Sequence, residues 1–226
     1  METFDIPFSN PMSAIKEMQF TLPRIYPITD KILSGKTSHL SIVKELVRGG
    51  ARLIQVRDKS TPDKELLRDL KQCAEFASKS GITLIADNRC DLVLSSHAMG
   101  VHLGQEDLPP KAARTILGPK KIIGFSTHTF EQIKKSFDLP IQYIGFGPVY
   151  ATTTKRNTHP AVGVQRLAKA CKMSAVPVVA IGGIDLDHVL EVLEAGAASA
   201  AVIAALMKAG NLARQMQRFL EKAMEK

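Results

Sequence analysis

The chain reads as a parallel α/β barrel, the (β/α)8 TIM-barrel architecture in a single domain, and three observations lead there. Eight short apolar runs recur along it, each followed by a polar turn and then by a segment of helical spacing. Its 226 residues suit one such barrel, which typically needs about 250 residues. The Gly-x-Gly-x-x-Gly fingerprint that would follow the first strand of an open dinucleotide-binding sheet is missing.

Taken in order, the strand candidates are residues 24–28, 53–57, 83–86, 100–103, 121–125, 143–146, 178–181 and 200–203. Between them, stretches such as 39–48, 62–78 and 186–195 carry apolar residues at helical spacing. The phrases GGARLIQVR, MGVHLG and AGAASAAVI each put glycine or small residues at or just before a strand start, where a helix must end and turn into the sheet, and they read as internal quasi-repeats. Residues 23–226 are assigned to the barrel. Residues 1–22 read as an N-terminal extension, packed against the barrel bottom or loosely held.

Composition narrows the function. With 45% hydrophobic and 23% charged residues the chain can bury a core. The net charge of +8 suits nucleic acid, an anionic membrane surface or phosphorylated metabolites. Many basic residues, among them Lys64, Arg68 and Lys71, and Lys208, Arg214, Arg218 and Lys222, sit in helix-like stretches and read as solvated faces. No basic run is interleaved with aromatics and there is no Trp, which argues against nucleic acid. Cys73, Cys90 and Cys171 are odd in number and show no CxxC or Cys/His pattern, so a reducing, cytoplasmic setting is expected. The first residues carry acids and prolines where a signal peptide needs a basic start, and no apolar run approaches the ~18 residues of a membrane span. The partners expected are small phosphorylated molecules, without nucleic acid or membrane, and with self-association into a homo-oligomer left open.

In a barrel of this kind function collects at the C-terminal strand ends. After strand two, alternation sends Gln55, Arg57 and Lys59 to one side and Val56 and Asp58 to the other. Three long polar side chains on one face form a candidate diphosphate clamp, because Arg offers a planar fork to phosphate oxygens and Lys a mobile point charge. After strands three and four, Asp87-Asn88-Arg89 and Gly104-Gln105-Glu106-Asp107 offer hard oxygen ligands of the kind Mg2+ takes, although Asp87 reads equally as a helix N-cap and Asp107 as a turn residue. After strand five, Ser126 can hydrogen-bond a ligand and His128 can act as an acid or base, or serve structure alone. The loop from Gly147 to Arg156, with Thr152, Thr153, Thr154 and Lys155, has the makeup of a flap over an anion or of a plain surface loop. After strand seven, Gly182-Gly183 would let backbone N–H groups approach a phosphate, or make a tight turn; strand eight runs into Ile203-Ala204-Ala205.

With these residues in view, the motifs YPITD, IQVRDK, GVHLGQEDLP, IIGFSTHT, YIGFGPVYATTTK and VVAIGGI resemble the thiamine-phosphate synthase family over residues 25–206. The resemblance implies a (β/α)8 barrel that joins hydroxymethylpyrimidine diphosphate to a thiazole phosphate, releasing diphosphate with Mg2+. By position, it implies that Gln55, Arg57, Lys59, Ser126 and Lys155 contact the pyrimidine diphosphate, with Arg57, Lys59, Ser126 and Lys155 as the catalytic set. Thr152, Thr154, Gly183, Ile203 and Ala204 fall at thiazole-phosphate contacts. Asp107 falls at a magnesium ligand. The family's Asn-Asp pair after strand three stands here as Asp87-Asn88, so Asn88 offers a carboxamide in place of the second carboxylate and Asp87 a negative charge at the family's diphosphate-facing, substrate-binding amide; either Asp87 takes over the metal or magnesium binding is weakened. Ala204 replaces the family's serine, which removes one side-chain hydrogen bond and keeps the backbone N–H.

Two other readings share the fold. In the related thiazole tautomerase branch, a His at the position of His128 moves the proton and the diphosphate clamp is eroded; here Arg57, Lys59, Lys155 and Asp107 are retained. A non-catalytic thiamine-phosphate-binding relative would keep the glycine loops without turnover.

Overall fold

The computed structural model describes residues 20–152, 154 and 159–225. Eight parallel strands follow one another round a barrel: β1 (Ile25–Pro27), β2 (Leu53–Val56), β3 (Thr83–Asp87), β4 (Gly100–Leu103), β5 (Ile122–Thr127), β6 (Tyr143–Phe146), β7 (Val178–Ile181) and β8 (Ser199–Val202). Seven neighbouring pairs form ladders, β1 pairing with β8. The seam between β1 and β2 is closed by a single bridge, Ile28 to Gln55, with Thr29 N–H donating to Gln55 O at 2.9 Å. The closure that the strand count predicts is made by these hydrogen bonds.

The helices among the described residues are α1 (Lys31–Ser34), α2 (His39–Arg48), α3 (Asp63–Lys79), α4 (Cys90–Ser96), α5 (Pro110–Leu117), α6 (Phe130–Lys135), α7 (Val164–Met173), α8 (Val189–Glu194), α9 (Ala204–Met207) and α10 (Leu212–Met224). The predicted helix over 186–195 begins later, at Val189, because Asp185 Oδ1 accepts from Asp187 N and His188 N and spends that first stretch on a turn. Lys64, Arg68, Lys71, Lys208, Arg214 and Arg218 are exposed, as a solvated face requires.

Strand alternation sorts side chains into two shells. Outward residues such as Ile54, Val56, Leu84, Val101, Ile123, Ile144 and Val202 pack beneath the helices in one large core. Inward residues Tyr26, Ile28, Leu53, Ile85, Ile122, Tyr143, Val179 and Ala201 fill the barrel, and Phe20 and Leu22 pack against them. Residues 1–19, nearly all of the expected extension, lie outside the described set.

The predicted fifth strand ended at residue 125. It runs on to Thr127, because Ser126 and Thr127 pair with Gly145 and Phe146, and Thr127 Oγ1 donates to Gly145 O at 2.9 Å. Ser126 is therefore a rigid strand position facing inward. Ile203, predicted to close strand eight, leaves the ladder at ψ −84° and caps α9. No helix among the described residues is long and apolar enough to cross a membrane.

Candidate active site at the barrel mouth

Two cavities open at the C-terminal strand ends, of about 240 Å³ and about 450 Å³, and Ser126, Gly145, Ile181, Ala201 and Ile203 line both. The smaller draws its charged residues from β2–β4 and the loops after them, and holds Gln55, Arg57, Lys59, Asp87 and Asp107. The larger lies over β5–β8 and holds His128, Thr152, Thr154, Gly182, Gly183, Ala204 and Ala205.

On the charged side, alternation delivers what the sequence predicted. Gln55, Arg57 and Lys59 face the cavity, while Asp58 turns away and is almost fully buried behind them. Lys59 Nζ lies 2.7 Å from Asp87 Oδ2, and Arg57 sits between Asp87 at 4.0 Å and Asp30 at 3.7 Å. Asp87 is the last residue of β3 and not a helix cap; the cap position of α4 belongs to Arg89. Asn88 follows in a left-handed conformation, φ 50°, and its amide donates to Asp107 Oδ1 at 2.9 Å. Asp107 also forms the turn expected of it, accepting from Gly104 N at 2.6 Å. The loops after β3 and β4 are thereby joined.

Beneath the charged cavity runs a polar string that the sequence reading did not identify. Gln55 Nε2 donates to Tyr26 Oη at 3.1 Å; Tyr26 Oη lies 3.0 Å from Tyr143 Oη; His102 Nδ1 lies 3.1 Å from Tyr143 Oη, and its Nε2 lies 2.8 Å from Ser126 Oγ. Burial raises both tyrosine hydroxyls well above their ordinary pKa, so they remain neutral donors. Gln55 and Ser126, two of the residues expected to contact the pyrimidine diphosphate, are thus tied to one buried network across five strands. A signal existed: His102 and Tyr143 occupy inward positions of apolar strands, where an isolated polar residue calls for a partner.

The other side is built from backbone. Gly182 and Gly183 take φ 100° and 66°; a Cβ on Gly183 would stand 2.6 Å from Ala151 O and 2.7 Å from Tyr150 Cβ, and one on Gly182 would strike Pro148. Only glycine lets β7 end this close to the β6 loop. That loop is held at its root by Val149 N to Ile181 O at 2.8 Å and Tyr150 N to Gly182 O at 3.0 Å, and Tyr150 Oη donates to Glu191 at 2.5 Å. Thr152 and Thr154 hydrogen-bond each other at 3.2 Å and face the cavity. His128 Nδ1 lies 2.6 Å from Gly147 O and its ring stacks on His159 at 4.1 Å; the helix cap that follows belongs to Thr129 and Gln132. Ile203 and Ala204 stand at the start of the short helix α9, beside the cavity, an element the sequence reading did not separate from strand eight. Thr153, Lys155 and Arg156 lie outside the described residues.

Fold and mouth together place the chain among (β/α)8 barrels whose chemistry is assembled from strand-end loops. The chain belongs to the thiamine monophosphate synthase family, whose model matches residues 25–206. It is 40% identical over 193 residues to a thiamine-phosphate synthase of Koribacter versatilis, covering 82% of this chain and 90% of that one. It is 39% identical over 202 residues to one of Persephonella marina, covering 89% and 95%. The solved thiamine phosphate pyrophosphorylase of Pyrococcus furiosus superposes with a TM-score of 0.80 at 32% identity, over 89% of this chain and 97% of that one.

Proposed function

We propose that the protein is a thiamine-phosphate synthase, an alkyl transferase of thiamine biosynthesis that joins hydroxymethylpyrimidine diphosphate to thiazole phosphate or its carboxy form and releases diphosphate. The observation that supports this most is the divided mouth: a half lined by Arg57, Lys59, Asp87 and Asp107 beside a glycine-walled half with no lysine or arginine among its described lining residues, meeting at Ser126. Two anionic substrates need two anion sites, and the bond between them must form where the sites meet.

In this reading Arg57 and Lys59 bind the diphosphate and stabilise the charge that grows on it as its C–O bond breaks, where preorganised cations lower a barrier most. Lys155, from the β6 loop, is assigned to the same group. Gln55 and Ser126 orient the pyrimidine through the string beneath them. Thr152, Thr154, Gly183, Ile203 and Ala204 hold the thiazole phosphate so that the ring nitrogen faces the departing carbon. No protein nucleophile takes part.

The donor set fits Mg2+. Asp87 and Asp107 are carboxylates in one cavity, Asn88 adds a carboxamide, and Asp87 Oδ2 is buried without a hydrogen bond while Lys59 stands beside it. Mg2+ takes one or two carboxylates and fills its shell with water and phosphate oxygens; among the described residues no three His, Cys, Asp or Glu gather to hold a metal by themselves. Asp107 and Asp87 would hold the ion, which when bound neutralises diphosphate charge. The reversed pair leaves Asp87 as the second carboxylate, already set against the cations it must share.

The tautomerase reading rests on His128, which lines the larger cavity. The charged half disfavours it, since an isomerase of a monophosphate has no use for Arg57 and Lys59. Incubation with both substrates and Mg2+, following thiamine phosphate and diphosphate, separates the readings. The synthase produces both; isomerisation of the carboxythiazole alone, or binding without turnover, would overturn the proposal.

A further inference from the structure

Behind the Arg57–Lys59 pair lies a second group of ionisable side chains that no step above uses. His39, the first residue of α2, is completely buried: its Nδ1 lies 2.7 Å from Thr29 Oγ1 and its Nε2 3.0 Å from Asp58 Oδ2. The threonine is buried too, and the Asp58 side chain is only 3% exposed. The distances are those of a nucleophile, base and carboxylate triad, but no substrate can reach a threonine sealed on every side, so the arrangement is mechanical.

Its proton bookkeeping closes. Thr29 Oγ1 accepts from Arg57 N–H at 3.3 Å, which leaves its own proton for His39 Nδ1, and Nε2–H donates to the Asp58 carboxylate. Asp58 meanwhile accepts from Ser60 N, Thr61 N and Thr61 Oγ1 at 2.8, 2.9 and 2.7 Å, and Lys31 Nζ lies 3.1 Å away. The histidine is itself anchored, because Asp69 of α3 accepts from His39 N at 2.6 Å and Leu40 N at 3.2 Å. A buried imidazole therefore connects the first turn of α2 to the start of the coil that follows β2, through Thr29 to Arg57 N–H and directly to Asp58. That coil opens with Arg57-Asp58-Lys59, whose first and last side chains face the mouth.

We infer that His39 is a positioning residue for the Arg57–Lys59 pair: bridged between Thr29 and Asp58, it fixes the backbone that aims both cations at a diphosphate group. This rests on the reading of the smaller cavity as a diphosphate site. Held groups bind without the ordering cost that a loose loop incurs, and supports of this kind elsewhere change affinity by about 10–100-fold when removed.

The test uses the intact chain, with inorganic diphosphate and, separately, inorganic phosphate as calorimetric probes. Thr29→Val keeps the buried volume and deletes the hydroxyl that joins Arg57 N–H to His39; His39→Gln keeps one donor toward Asp58. Diphosphate affinity should fall on the order of 10-fold in both, phosphate binding at the glycine-walled half should stay unchanged, and Thr29→Ser should restore diphosphate binding. Wild-type diphosphate affinity in either folded variant, equal weakening of both probes, or no rescue by serine would overturn the inference. Loss of the synthase reading would appear elsewhere, as a wild-type chain that makes no thiamine phosphate while these titrations still report on the coil.

Discussion

In the proposed reading, the two halves of the mouth bind anions by different physical means. The half over β2–β4 uses long charged side chains, each balanced by a carboxylate: Lys59 by Asp87, Arg57 by Asp30 and Asp87. The half over β6–β8 uses backbone, brought close by glycines at positive φ, and no lysine or arginine is among its described lining residues. Side-chain cations adapt to a leaving group whose charge grows, whereas backbone amides suit a phosphate that does not react. In that reading the anion that departs meets side-chain cations, and the anion that stays meets fixed backbone dipoles.

The comparison breaks most sharply at Arg57. Arg57→Ala should lower kcat by roughly 10²–10³-fold, the range for removing a preorganised charge donor, and leave thiazole-phosphate affinity unchanged, as steady-state formation of thiamine phosphate would show. Gly183→Ala should do the converse. The added methyl needs a left-handed backbone and meets Ala151 O and Tyr150, so thiazole-phosphate affinity should fall by at least roughly 10-fold, with diphosphate binding intact by calorimetry.

Acid should attack the charged half through its support. Burial holds His39 below its ordinary pKa of 6.5, so the unfolded chain takes up that proton first and stability is lost as pH falls through 6.5. Burial opposes charge on Asp58, but hydrogen bonds from Ser60, Thr61 and His39 outweigh it and depress its pKa, so a second loss follows as pH falls through the ordinary 3.8. Melting curves between about pH 7.5 and about pH 5 should show a Tm drop in the wild type that is flattened in His39→Gln. The smallest effect is a gain. Ala204→Ser adds a hydroxyl at the start of α9, and thiazole-phosphate affinity should rise a few-fold, within the roughly 1 kcal/mol of one neutral hydrogen bond.

Legibility followed the same division. Arg57 and Lys59 could be placed from strand parity alone, since polar side chains two residues apart share a face. Gly182-Gly183 showed itself because paired glycines at a strand end have few uses. What stayed hidden depends on distance along the chain. Gln55, Tyr26, Tyr143, His102 and Ser126 come from five strands, and a lone polar residue in each apolar run gives no hint of the others until the barrel closes. The Asn88–Asp107 bond and the His39–Asp58 contact were invisible for that reason. The boundaries of β5 and β8 moved because hydrogen bonds at Thr127 and the turn of Ile203 decide them, and apolar run length does not report either.

The central claim is that one mouth holds two anions at once. Calorimetric titration of the wild-type chain with thiazole phosphate, first alone and then in saturating diphosphate and Mg2+, tests it directly. One-to-one binding is expected in both titrations, with little change in affinity. Competition, with thiazole phosphate excluded by diphosphate, would mean a single anion site and would contradict it.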